Sequence, residues 1–109
     1  MQQYQIKITE LAEKDLENIG DYIAEQLLNP EAATYMVQGI QRQIHKLHYF
    51  PERNELDNDL LLKKLEIRKT YYKKYKIYYV VDNKTMTVYI VRILHMLEDS
   101  KAQLYKIFE

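Results

Sequence analysis

Cysteine is absent from this 109-residue chain, which removes disulfides and thiolate chemistry and fits a reducing compartment. Glycine and proline occur twice each, too few for a low-complexity chain and in keeping with long regular elements joined by short connections. No apolar run approaches the roughly 20 residues of a membrane span. The opening "MQQYQIKITE" lacks the apolar core of a signal peptide. A cytoplasmic protein with no membrane partner is therefore expected, in one domain over residues 1–109.

Net charge is also absent, because 16 Lys and Arg balance 16 Asp and Glu. The totals thus give no reason to expect a polyanion partner. The distribution is uneven, however. Up to Pro30 there are six acidic and two basic residues, whereas Lys63 to Lys76 holds seven basic residues against Glu66 alone.

Tyr4, Ile6 and Ile8 alternate with polar residues, the pattern of a short strand with one buried face. Thr9 can then cap a helix whose apolar stripe runs Ala12, Leu16, Ile19, Ile23, Leu27, with acidic residues on the other face. That helix would have about five turns. Asn29-Pro30 ends it and opens a second, striped by Ala33, Val37, Ile40, Ile44 and Leu47. Beyond Pro51 and the polar loop "PERNELDND", three strands are expected in "KLEIRKT", "YKIYYVVD" and "TVYIVRIL". The "DNKT" turn makes the last two antiparallel neighbours, and Asp99 or Ser100 caps a closing helix. The order β-α-α-β-β-β-α specifies an α+β domain: a small, mainly antiparallel twisted sheet with an αα-hairpin on one face.

Several chemistries lack their signature. There is no glycine-rich phosphate loop, nucleophile elbow or paired-carboxylate motif, and no cofactor is expected. His45 and His48 stand three apart on the second helix, with only Glu52 near them in sequence, so no metal site is expected. The prominent signal is "KKLEIRKTYYKKYKIYY". Lys63, Lys64, Lys69, Lys73 and Lys74 interleaved with Tyr71, Tyr72 and Tyr75 suit a nucleic-acid or other target surface, since cations neutralise phosphate and tyrosine rings stack on unpaired bases. A solvated hairpin whose lysines prevent edge pairing accounts for the same residues.

By strict alternation Arg92 shares a face with Val88, Ile90 and Leu94, where a guanidinium needs an acidic partner or an open groove. Glu66 on a neighbouring strand is a candidate partner. His95 ends the last strand, where an imidazole can move a proton near neutral pH or serve as a satisfied structural side chain.

In this order and spacing, "ITELAEKDLENIGDYIAEQLLNPEAA" and "IRKTYYKKYKIYYVVDNKTMTVYIVRILHMLED" resemble the RelE/ParE toxin superfamily, the toxin halves of bacterial type II toxin–antitoxin pairs. The resemblance covers nearly the whole chain. It implies a small growth-inhibiting toxin neutralised by a cognate antitoxin, whose acidic and aliphatic residues would cover the basic stretch and the sheet or helical hairpin. RelE-like members are similar to metal-independent ribonucleases acting on mRNA at the ribosome. ParE-like members block DNA gyrase without chemistry, and an inactive member of the family is the remaining alternative. On the ribonuclease reading Arg68, Lys76 and Arg92 hold the scissile phosphate and His95 moves the proton. Many members place arginines after that histidine, where this chain has Met96, Leu97 and Glu98.

Overall fold

The computed structural model describes residues 3–108. Its centre is a four-stranded sheet of β1 (Gln5–Ile8), β2 (Arg68–Tyr72), β3 (Tyr75–Asp82) and β4 (Thr87–His95), in the spatial order β1-β4-β3-β2. β2 and β3, and β3 and β4, are antiparallel, whereas β1 runs parallel to β4. Helices α1 (Glu10–Asp21) and α2 (Pro30–His45) form the expected hairpin on one face. The short helices α3 (Leu60–Lys64) and α4 (Ser100–Tyr105) carry Leu62 and Leu104 onto the other.

Local chemistry explains the helix starts. Thr9, Asn29, Asp59 and Asp99 each accept a hydrogen bond from a backbone N–H of the turn that follows, and Pro30 fills the first position of α2. Between the hairpin and the sheet lie Ala12, Ile40, Ile44, Leu47, Ile77, Tyr79, Val88, Ile90 and Ile93, all buried. Each large side chain so buried contributes about 1.5–3 kcal/mol. Gly39 lets α2 approach closely, since an added Cβ would overlap the Tyr72 ring.

Three expectations are corrected. The first helix does not carry its stripe to Leu27: after Asp21 the backbone widens into a π turn over Tyr22–Gln26, and Leu28 takes a φ of 53°. The wider turn rotates Leu27 off the buried face. The chain at Leu65 is not strand either. Asp59 caps α3 there, Leu65 closes that helix, Glu66 turns at a φ of 59°, and β2 begins only at Arg68.

The third correction concerns β4. Tyr78 pairs with Arg92 and Tyr79 with Ile90, so Val91 is an extra residue in a β-bulge. The bulge resets the alternation. Ile93, not Leu94, joins Val88 and Ile90 beneath the hairpin, and Leu94 packs on the opposite face with Leu62 and Leu104. Nor does Arg92 meet Glu66; its partner is Asp15 of α1.

Candidate functional site

β1 accompanies β4 only as far as Ile90, and past that point α1 closes over the edge of β4. Asp15 makes the junction. Its carboxylate accepts hydrogen bonds from Arg92 Nε at 2.7 Å, Arg92 Nη2 at 2.8 Å and the Ile93 backbone N–H at 2.9 Å. The two charged side chains are 12% and 14% exposed, so the pair is largely desolvated and Arg92 is matched rather than free. The Asp15 hydrogen bonds raise the guanidinium's pKa against the effect of burial, keeping Arg92 charged.

Above this pair runs an open groove of about 600 Å³, walled by Asn18 from α1, Tyr22 from the π turn that follows it, Tyr75 from β3, His95 from the end of β4 and Leu97 just beyond it. Two exposed apolar side chains stand on its rim, Leu97 at 88% and Tyr22 at 55% exposed. Burial, together with Tyr22 and Glu98, pushes the Tyr75 hydroxyl's pKa up, so that it stays a neutral phenol.

The His95 ring meets Tyr75 edge to face with centroids 5.3 Å apart. Its Nδ1 accepts the Leu97 backbone N–H at 3.1 Å, which places the proton of a neutral ring on Nε2. In that tautomer His95 offers the groove a donor, not the lone pair that a general base requires. Glu98 folds back onto the His95 backbone N–H at 3.3 Å, bringing a carboxylate to the place where a phosphate-binding site would want a cation.

The residues singled out in the sequence are divided. Arg92, His95 and Tyr75 share the groove. Lys74 lies beside them through its backbone, whose carbonyl accepts the Met96 N–H. Lys76 points to the opposite face, with its ammonium 5.8 Å from the Tyr78 ring. Arg68 stands on the far strand, where its guanidinium donates to the carbonyls of Asn54 at 2.6 Å and Glu52 at 3.1 Å.

The rest of the basic stretch is spread as widely. Lys63 and Lys64 are exposed on α3, Lys69 pairs with Asp57 at 3.4 Å, Lys73 lies 5.7 Å from the Tyr72 ring, and Tyr71 is exposed on β2. His48 uses both ring nitrogens within the protein, Nδ1 to the Tyr4 carbonyl at 2.7 Å and Nε2 to His45 at 3.3 Å. No metal-binding group of three side chains occurs among the described residues.

Sequence reasoning missed Asp15, Asn18 and Tyr22. The first and last were legible in part, since Ala12, Asp15, Ile19 and Tyr22 recur at helical spacing along one edge of the buried stripe. An acid in that row opposes a sheet, not water.

Among solved structures, the toxin–antitoxin proteins share this fold. A chain of the chromosomal ParDE system of P. aeruginosa superposes with a TM-score of 0.71 at 23% identity, covering 85% of this chain and 96% of that one. The RelBE2 complex of Mycobacterium tuberculosis gives 0.59 at 19% identity, covering 90% and 97%. The intact E. coli RelBE complex gives 0.54 at 18%, covering 87% and 98%. No curated protein matches the sequence. The model of the ParE toxin of the type II toxin–antitoxin system parDE matches residues 6–100, from β1 past the end of the groove, and the chain therefore belongs to the ParE toxin family.

Proposed function

We propose that this toxin arrests growth by binding its target rather than by cutting RNA, with DNA gyrase as that target and a cognate antitoxin as its neutralising partner in the cytoplasm. The observation that carries the reading is the bidentate Asp15–Arg92 pair, which matches the groove's one guanidinium with a carboxylate. Cleavage through a ribose 2′-hydroxyl needs a base, an acid and uncompensated positive charge at the phosphate. Here Lys76 and Arg68 lie on another face and another edge, and His95 presents Nε2–H. The exposed apolar side chains of Leu97 and Tyr22 on its rim suit a protein surface. An antitoxin with acidic and aliphatic residues would cover that rim and the exposed lysines.

Titration of the purified toxin into a gyrase supercoiling reaction tests this. Supercoiling should stop as toxin is added and return when antitoxin follows. Unchanged supercoiling at large toxin excess would contradict the proposal.

A second reading, metal-independent cleavage of mRNA at the ribosome, rests on His95, Tyr75 and Arg92 sharing one groove. It requires Arg92 to leave Asp15 for the phosphate, and His95→Gln to abolish cutting.

A further inference from the structure

The two sides of the sheet carry different charge. On the hairpin side α1 exposes Glu10, Glu13, Glu17 and Asp21, with Lys14 as its one base. On the other side α3, α4 and β2 contain no carboxylate. Asp57 and Asp59, from the loop before α3, are used internally: Asp57 pairs with Lys69 at 3.4 Å, and Asp59 holds Lys101 at 3.0 Å and the Tyr105 hydroxyl at 2.8 Å. The pairing of β2 with β3 sets Tyr71 opposite Lys76 and Lys69 opposite Tyr78. Tyr78 belongs to the cluster beneath α3 and α4, so by the alternation of a strand Lys69, Tyr71 and Lys76 all stand on that face. Tyr71 is exposed there, and Lys63 and Lys64 are exposed on α3. Among the described residues no carboxylate pairs with Lys63, Lys64 or Lys76.

We infer that this face binds the phosphate backbone of duplex DNA, with Lys63, Lys64 and Lys76 neutralising phosphates and the Tyr71 hydroxyl donating to one. The source of that DNA rests on the gyrase reading, since an enzyme that supercoils DNA holds duplex beside the surface a bound toxin occupies. The groove opens on the hairpin side, at Tyr75 and His95, so one toxin can meet the enzyme with one side and its DNA with the other. The acids of α1 repel DNA from the hairpin side and so orient the approach. The available cations are lysines, point charges that match phosphate without selecting a base. Zero net charge makes the attraction local, and binding should therefore be modest, independent of sequence and steeply dependent on salt.

The test follows the fluorescence anisotropy of a labelled duplex of about 20 base pairs as the full chain is added, without gyrase. Duplexes of different sequence should bind alike, and the logarithm of the binding constant should fall against that of salt with a slope of about −3. Lys76→Glu and the double variant Lys63→Gln, Lys64→Gln should each weaken binding by about fivefold or more and make the slope shallower by about one and about two. Lys84→Glu, an equal change of charge in the exposed turn after β3, should alter binding by less than about twofold. No binding at about 50 mM salt, a slope near zero, or equal weakening by Lys84→Glu would overturn the inference. Tighter binding of single-stranded RNA of the same length would overturn it in favour of RNA, and displacement of the duplex by polyglutamate at equal charge in favour of an acidic protein surface. Absent DNA binding with supercoiling still inhibited would remove this inference alone. DNA binding by a toxin that leaves supercoiling unchanged would uphold the lysine face and remove the gyrase reading.

Discussion

Asp15 holds Arg92 through both Nε and Nη2, at 2.7 and 2.8 Å, and ties the middle of α1 to the end of β4 across 77 positions of sequence. This contact joins fold to function, because the same carboxylate that secures the helix on the sheet also neutralises the groove.

Removing one partner strands the other's charge. Asp15→Ala should cost about 3 kcal/mol or more in chemical denaturation, since Arg92 would remain largely buried without its counter-charge and the Ile93 N–H would lose its acceptor. Adding Arg92→Leu to that variant should restore part of the loss. An additive double variant would show that the two side chains are not coupled.

Arg68 is expected to act as a clamp. Its contacts with the Asn54 and Glu52 carbonyls, beside the Tyr79 hydroxyl donating to the Pro51 carbonyl at 2.6 Å, fasten the loop after α2 to the sheet. Arg68→Ala should lower stability by about 1–2 kcal/mol and expose that loop to limited proteolysis, while inhibition of the target persists. Loss of inhibition with unchanged stability would assign Arg68 to target contact.

Much of this frame was legible in the sequence, for reasons that lie in short-range chemistry. Thr9, Asn29-Pro30 and Asp99 mark helix starts through hydrogen bonds and dihedral limits that span three residues, so neighbouring letters suffice to find them. The strands of the last hairpin were equally plain, with Asp82 Oδ1 accepting the N–H groups of Lys84 and Thr85 to shape the turn. Val91 was not legible. A bulge changes which face later residues occupy without changing composition, and so Arg92 and Leu94 were given the wrong neighbours. Asp15 was hidden for a related reason: its role depends on a strand far away in sequence. The sharing of one groove by His95 and Arg92 was not readable from their spacing, since three apart on a strand they fall on opposite faces by strict alternation, and the placement of Lys76 and Arg68 away from it likewise required the sheet.

Gly39→Ala should destabilise the protein even though alanine is the better helix former. The new Cβ would lie 2.1 Å from the Tyr72 ring carbon that bears the hydroxyl, and the ring must move for α2 to remain seated. A cost of about 1–3 kcal/mol is expected, against a gain of up to about 1 kcal/mol at an open helical site. Pairing it with Tyr72→Ala should relieve most of the clash, as read by the midpoint of unfolding.

Acid should weaken the packing of α4. The Tyr105 hydroxyl, Lys101 and the Leu62 N–H outweigh burial and hold the Asp59 carboxyl below its ordinary value of 3.8. A carboxylate depressed on folding stabilises the native state above its unfolded pKa, and that contribution disappears as pH falls through the lower folded value. The Tm of the wild type should therefore exceed that of Asp59→Asn near neutrality, with the gap closing in strong acid. A gap independent of pH would show that the charge of Asp59 is immaterial.

The most direct measurement of the central claim is the integrity of cellular mRNA, mapped by primer extension after the toxin is induced without an antitoxin. Growth arrest with full-length transcripts is the result expected if the Asp15–Arg92 pair leaves the groove without charge for cleavage. Transcripts newly cut within reading frames, and no longer cut when His95 is changed to glutamine, would contradict it.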